Sequence, residues 1–361
     1  MQSIPTIESR IEKLRVLMKE KKVDSVLISK KENVIYLSGF TGSDAILFIT
    51  GTKKFLITDF RYVIQASQEC RQYDIREYKI SIEDEIKLLV IENEVSNVGI
   101  EERDLTHFQY DKIKNKIPDI AIIYFGENLD SLRIIKDEEE LENIKKSVEI
   151  TDEVFKEVLK YIKPGVTENE IASEIQYHIR KKGGMGQSFE IIVASGKRSA
   201  LPHGVASDKK INNKEPVVID FGSIYNNYCS DMTRTVFVGE PAEDLLKIYN
   251  VVLKAQKDAI DFIKEGIVCR EVDSIARDYI AQNGYGEYFG HALGHGVGLE
   301  IHENPRLSSK CDTVLRSGMT VTVEPGIYIE NIGGVRIEDL VAISKNKAEV
   351  MTSSSKDVII I

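Results

Sequence analysis

Long apolar runs, paired cysteines and an excess of positive charge are all missing from this chain of 361 residues. No stretch approaches the roughly 18 uninterrupted apolar residues that a membrane-spanning helix requires. The opening MQSIPTIESRIEKLRVLMKEKK is charged throughout and has no apolar core of signal-peptide length, so the cytoplasm is the expected compartment. The four cysteines (Cys70, Cys229, Cys269 and Cys311) contain no CxxC pair, which argues against a disulfide framework and a thiolate zinc site alike. Lys and Arg number 48 against 58 Asp and Glu, and a net charge of −10 excludes a general nucleic-acid or anionic-membrane surface, because those partners are polyanions. A small substrate or a cation suits such a surface better. Histidine is scarce too, with six in all, yet His291, His295 and His302 crowd into FGHALGHGVGLEIHE.

What is present is enough to build a sizeable core. Apolar residues at 42% and charged residues at 29% are ordinary for a soluble globular protein, and the length points to two domains. Ile7, Ile11, Leu14 and Leu17/Met18 follow the helical period, and VDSVLIS, NVIYLSGF, DAILFIT and KFLITDF read as strands, the last two joined by a tight Gly51-Thr52 turn. IEDEIKLLVIENE and THFQYDKIKNKI read as helices, so residues 1–130 form an α/β domain by this pattern. The pattern then changes to a long charged helix with Ile144, Val148, Thr151, Phe155 and Leu159 on one stripe. This places the domain boundary near residue 130 and a second domain over 131–361. The run Glu138 to Glu140 is read as a solvated first helical turn, where acid complements the helix dipole.

The second domain repeats itself. YIKPGVTENEIASEIQYHIRKKGG (161–184) aligns with FIKEGIVCREVDSIARDYIAQNGY (262–285) at an offset of 101, matching Gly165/Gly266, Glu170/Glu271 and Gly183/Gly284 among others. Each copy leads to a histidine-bearing strand (LPHGVAS; LEIHENP). A pair of strands follows, opening with carboxylate-x-Gly and closing with another carboxylate. The repeat pairs His203 with His302, Asp220 with Glu324 and Asp231 with Glu338.

VVIDFG and TVTVEPG are β-branched runs suited to a buried sheet, and an unpaired buried carboxylate costs several kcal/mol. Acids 11 and 14 positions apart (220 and 231; 324 and 338) can meet across a strand-turn-strand, with Gly222, Gly333 and Gly334 permitting the reversal. If the halves face each other about a pseudo-twofold axis, four carboxylates converge, and divalent cations are the natural counter-charge. A lone Asp-x-Gly would read as a surface turn, or as the partner of nearby Arg234 or Arg336; four such acids in symmetric positions on apolar strands do not.

His291 and His295 stand four apart, but the HExxH reading fails because no Glu follows His291 and Gly294, Gly296 and Gly298 disfavour a helix. The same glycines lack dinucleotide spacing. Their expected use is close backbone approach, leaving a slot for an extended ligand. The repeat makes His203 and His302 flank the metals, leaving His291 and His295 as ligand candidates between which spacing cannot choose. His107 and His178 read as surface or satisfied core residues.

Together LPHG, DFGSIYNNYCSDMTRT, GHGVGLEIHE, TVEPGIY and GGVRIED resemble the pita-bread metallopeptidases, and within them the Xaa-Pro peptidases (aminopeptidase P and prolidase). NVIYLSGFTGSDA and TDFRYVIQA resemble that group's amino-terminal domain. The resemblance implies an α+β fold, in which a small amino-terminal α/β domain precedes a pseudo-twofold pita-bread catalytic domain. It further implies that Asp220, Asp231, His295, Glu324 and Glu338 hold two divalent metal ions (manganese first; cobalt, zinc or iron as alternatives) that activate water. Glu324 then manages the proton, His203 and His302 serve substrate and transition state, and His291 lines the pocket. The expected substrates are peptides with proline in second position, and the expected assembly is a homodimer. TDFRYVIQA favours the aminopeptidase branch. The alternative, an Xaa-Pro dipeptidase, would hold the substrate's terminal carboxylate with Arg306 or Arg336. A non-catalytic peptide-binding relative, or a metal-free creatinase-like hydrolase, would be expected to lack these ligands.

Overall fold

The computed structural model describes residues 4–361, with side chains from residue 6 onward. The chain divides into two compact units, Met1–Arg133 and Ile134–Ile361. No helix among the described residues is long and apolar enough to cross a membrane.

In the first unit α1 (Ile4–Lys21) buries Ile7, Ile11, Leu14 and Met18, the stripe its period requires. The remaining elements are β1 (Ser25–Ile28), α2 (Lys31–Ser38), β2 (Ile46–Thr50), β3 (Lys54–Thr58), α3 (Val63–Glu69), β4 (Asp74–Glu77), α4 (Ile82–Glu92), β5 (Asn97–Ile100), α5 (His107–Lys116), β6 (Ala121–Tyr124) and α6 (Gly126–Ser131). The strands form one mixed sheet in the order β4-β3-β2-β1-β5-β6.

One sequence expectation fails here, because NVIYLSGF is the helix α2 rather than a strand. Every residue from Asn33 to Ser38 is buried, so the one-sided pattern that marks a surface helix is absent, and a short apolar run then looks like a buried strand. The helical start is set from far along the chain. Glu101 accepts the Ser29 and Lys30 N–H groups at 2.6 and 2.7 Å and the Asn33 amide at 2.5 Å, and so caps the exposed amino end of α2.

The second unit begins with α7 (Glu138–Val158) and α8 (Glu168–Lys181), followed by β7 (Ile192–Ser195), β8 (Glu215–Phe221), β9 (Ile224–Tyr225), β10 (Tyr228–Cys229) and β11 (Met232–Val238). Then come α9 (Glu243–Phe262), α10 (Cys269–Gln282), β12 (Gly294–Gly296), β13 (Glu303–Leu307), β14 (Thr320–Val323), β15 (Gly326–Ile329), β16 (Gly333–Arg336), β17 (Asp339–Ile343) and β18 (Ala348–Val350). Helices α8 and α10 start and stop 101 residues apart, at the offset of the sequence repeat. The glycines before and after them match as well: Gly165 and Gly266 have φ of 93° and 90°, and Gly183 and Gly284 have 93° and 87°, left-handed values that favour glycine.

Each helix pair covers its own sheet. Ile171, Ile175 and Ile179 of α8 pack with Val217, Ile219 and Phe221 in the sheet β11-β8-β7, whereas Val272, Ala276 and Ile280 of α10 pack with Val321, Val323 and Val341 in the sheet β13-β12-β14-β17-β18. Full burial of one such side chain contributes roughly 1.5–3 kcal/mol. The sheets meet where residues 336–338 run beside 233–235: Glu338 N–H donates to Thr233 O at 3.1 Å, and Arg336 N–H to Thr235 Oγ1 at 3.1 Å.

Two smaller expectations change. Glu140 is buried rather than solvated: it closes the capping box with Asp137 at the start of α7 and accepts from Tyr228 OH at 3.2 Å. His203 and His302 lie in turns rather than strands, His302 one residue ahead of β13. The expected close backbone approach is seen at Gly294 and Gly296, where a Cβ would lie 1.9 Å from Thr322 O and 2.5 Å from Asn304 O, and Gly294 lines a cavity; Gly298 instead faces the Glu303 carboxylate. None of the four cysteines is bridged.

Candidate active site

Two hairpins carry the acids. Asp220 lies in β8 opposite Thr233 and Ile192, and Asp231 immediately precedes β11. The turn between them closes only around glycine, since a Cβ at Gly222 would stand 1.7 Å from Ser230 O. In the second hairpin Glu324 follows β14 and is fixed by its N–H on Leu293 O at 2.8 Å, while Glu338 precedes β17 and accepts from Thr233 Oγ1 at 2.7 Å.

His295 sits in β12, and its ring orientation follows from one contact. Nδ1 is 3.1 Å from Gly296 O, which can only accept, so Nδ1 carries the proton and Nε2 presents a lone pair. That nitrogen lies 3.5 Å from Asp231 Oδ2 and 3.4 Å from Glu324 Oε1. Donor atoms of Asp231, His295 and Glu338 all fall within 4.8 Å of one another. Asp220 is held differently: Arg336 Nη2 donates to Oδ2 at 2.5 Å, whereas its Oδ1 is buried with no partner.

Burial and mutual repulsion make this cluster unstable as a set of bare charges. Burial, then the neighbouring Asp220 and Glu324, push the Asp231 carboxyl well above its ordinary range; burial and Asp231 do the same to Glu338. Burial lifts Glu324 to about 8 and, with the charge of His302, lowers His295 to about 3. Burial thus favours the protonated form of Asp231, Glu324 and Glu338 and the neutral imidazole of His295, and a bound cation would take the place of those protons. The orphaned Asp220 Oδ1, the outward lone pair of His295 and the carboxylate-rich donor set fit a divalent first-row ion.

A cavity of about 450 Å³ opens onto the cluster and is lined by every residue singled out from the sequence: His203, Asp220, Asp231, His291, His295, His302, Arg306, Glu324, Arg336 and Glu338. Their surroundings separate them. His291 uses both ring nitrogens, Nδ1 on Ala292 O at 2.8 Å and Nε2 on Tyr328 OH at 3.0 Å, and burial lowers it to about 4. Tyr328 OH also accepts from Arg336 Nη1 at 2.8 Å. His291, Tyr328, Arg336 and Asp220 thus form one chain of hydrogen bonds.

Arg336 is buried and further engaged by Thr233 Oγ1 and Pro202 O, both at 3.0 Å, so a substrate-carboxylate role for it is not supported. The competing reading of Arg336 as a carboxylate partner holds for Asp220. Arg234 instead pairs with Asp339 at 2.8 Å. Arg306 is exposed on β13 directly opposite His295, which puts both side chains on one face of the sheet, toward the cavity. The His302 ring stands edge-on to His295 with centroids 4.4 Å apart. His178, taken as surface or satisfied core, is buried with neither ring nitrogen hydrogen-bonded.

Sequence reasoning missed Tyr328 and Glu190. Tyr328 lies within TVEPGIY but reads as an ordinary strand aromatic, and Glu190, which also lines the cavity, sits in a segment without periodic signal.

Metallopeptidase family M24 matches residues 142–345, and the creatinase/prolidase N-terminal domain matches residues 10–135. An Xaa-Pro dipeptidase of Pyrococcus horikoshii is 41% identical over 355 residues, covering 98% of this chain and 99% of that one. Among solved structures, an Xaa-Pro dipeptidase from Bacillus anthracis superposes with a TM-score of 0.96 at 45% identity, covering 98% of this chain and all of the other. An X-Pro aminopeptidase from Thermotoga maritima gives 0.90 at 40% identity, covering 94% and 98% of the two chains.

Proposed function

Because the chain belongs to metallopeptidase family M24, with a creatinase/prolidase N-terminal domain ahead of the catalytic one, we propose that it is an Xaa-Pro dipeptidase working with two divalent cations. This reverses the preference for an aminopeptidase that TDFRYVIQA suggested. The reversal is supported by the dipeptidase relatives at 41% and 45% identity and by Arg306, an exposed guanidinium opposite His295 where a substrate carboxylate would lie.

Asp220, Asp231, His295, Glu324 and Glu338 would hold the cations, with manganese the first choice for so carboxylate-rich a set. Bound there, the ions supply Lewis acidity and acidify a water toward neutrality. The chain's own groups do the rest. Arg306 holds the terminal carboxylate, His302 and His203 donate to the scissile carbonyl and the oxyanion that develops from it, and Glu324 takes the water's proton and returns it to the departing prolyl nitrogen. The chain His291–Tyr328–Arg336 keeps Asp220 in place.

The observation carrying this reading is the single cavity that gathers five metal donors with Arg306 at its wall. The test compares Xaa-Pro with Xaa-Pro-Yaa peptides after dialysis against a chelator and re-addition of Mn²⁺, Co²⁺ or Zn²⁺. Metal-dependent cleavage of the dipeptide, weakened mainly in KM by Arg306→Ala, is expected. Cleavage of the longer peptides alone would restore the aminopeptidase reading, and light scattering would check the expected homodimer.

A further inference from the structure

One buried ion pair has no part in the chemistry described above. The Lys136 side chain is 1% exposed and its Nζ lies 3.0 Å from Glu303 Oε2, on a side chain 4% exposed, although 167 residues separate them in sequence. Lys136 is itself fixed, its N–H donating to Gly318 O at 2.9 Å and its Nζ reaching Ile134 O at 3.3 Å.

Glu303 is the residue after His302, and its carboxylate forms the inside of the loop that carries that histidine. Its Oε1 accepts from Glu300 N–H at 3.1 Å, and a Cβ at Gly298 would come within 2.6 Å of Oε2, so the loop backbone lies against the carboxylate. Gly298 N–H donates to Glu300 O at 3.0 Å, and Gly298 O accepts from Cys229 N–H at 2.8 Å. The strand register shifts between His295 and Gly296, where Gly296 pairs with Glu303, so the loop leaves the sheet at this carboxylate. Any displacement of Glu303 moves His302 relative to His295.

We propose that Lys136 is a positioning residue for hydrolysis: by neutralising Glu303 inside the 298–303 loop it sets where the His302 imidazole stands against the metal cluster. This rests on the reading of His302 as a substrate-facing group. An ammonium on a long stem suits the task, since its donors reach both a carboxylate oxygen and a carbonyl.

The test is a double-mutant cycle of Lys136→Met with His302→Ala in the metal-loaded protein. Lys136→Met alone is expected to lower kcat about 10- to 100-fold, the scale of a misplaced catalytic group, with bound metal unchanged and KM within about twofold. In the His302→Ala background it should cost nothing further. An independent arm follows the His302 imidazole NMR signal in zinc-loaded protein, identified by its loss in His302→Ala. Lys136→Met should shift or broaden it while leaving His107, exposed in the first unit, unmoved. Losses that multiply in the cycle, or an unchanged His302 signal, overturn the proposal. If Lys136→Met does not fold, the charge-balanced Lys136→Met/Glu303→Gln variant carries the same two measurements. A wild-type protein that cleaves no proline peptide would refute the functional reading, while the NMR arm would still decide the positioning.

Discussion

The two halves of the second unit place their acids alike but brace the hairpins that carry them by different means. In the first half, hydroxyls clamp the hairpin: Ser147 Oγ donates to Ser223 O at 2.8 Å and lies 3.0 Å from Ser230 Oγ, which is 2.8 Å from Thr151 Oγ1. These groups are neutral and belong to α7 and the turn between β8 and β11. In the second half, charge does the work. Asp339, one residue past Glu338, binds Arg234 at 2.8 Å, Gln256 at 2.8 Å, Thr352 at 2.6 Å and Lys356. Burial would raise the Asp339 carboxyl, but Arg234 and Lys356 outweigh it and hold the group below its ordinary range. The halves thus match in where the carboxylates go and differ in the groups that brace the hairpins.

The sharpest break of this comparison should be no difference at all. Asp231→Asn from the first hairpin and Glu338→Gln from the second are each expected to lower kcat by about a thousandfold or more with circular dichroism unchanged, since both remove a metal donor. Near-normal turnover of either variant would show that the halves do not share a cation.

Next in size is the anchoring itself. Asp339→Asn leaves the buried Arg234 and the Lys356 ammonium short of their counter-charge and should cost about 3–5 kcal/mol in chemical denaturation, against about 1–3 kcal/mol for Ser230→Ala, which takes the acceptor from the buried Ser223 N–H. Equal losses would erase the distinction between charged and neutral clamps.

Acidity supplies a third measurement. Above about pH 7.5 His291 and His295, lowered to about 4 and 3, and His302, lowered by burial, are largely neutral folded or unfolded, so the carboxyls decide the sign. Glu324, raised from 4.5 to about 8, keeps in the folded metal-free protein a proton that the unfolded chain has released, and burial displaces Asp231 and Glu338 in the same direction. Stability of the metal-free protein is therefore lost as pH rises from about 7.5 through 8, by up to about 1.4 kcal/mol per pH unit for each proton retained. Metal should flatten or invert that slope. A Tm of chelated protein that climbs across this window would contradict the burial argument, and Glu324→Gln should reduce the slope.

The smallest effect tests the repeat. Gly165 and Gly266 have left-handed φ, and a Cβ added at either would meet nothing within 4 Å, so only the backbone conformation resists a side chain there. Gly165→Ala and Gly266→Ala should each cost about 1 kcal/mol, and by matching amounts.

Much of this arrangement is legible in the amino-acid order. Helices α8 and α10 can be read because helical period, capping residues such as Thr167 and Glu170, and terminal glycines act within a few residues of one another. The acids stand out because a carboxylate at the end of a buried strand demands a partner. Legibility fails where the deciding contact is distant. Helix α2 depends on Glu101, the choice between His291 and His295 on Tyr328 OH and Gly296 O, and the exclusion of Arg336 from substrate on Pro202 O, Thr233 and Asp220.

The amino-acid order alone determined that two similar halves exist and pointed to four acids in want of a counter-charge, since local period and the cost of buried charge need only near neighbours. Folding decided which nitrogen faces the cluster, which arginine is left facing the cavity and which lysine lies beneath the His302 loop. Those outcomes depend on distances of a few ångströms between residues a hundred or more positions apart, and no local pattern encodes such distances.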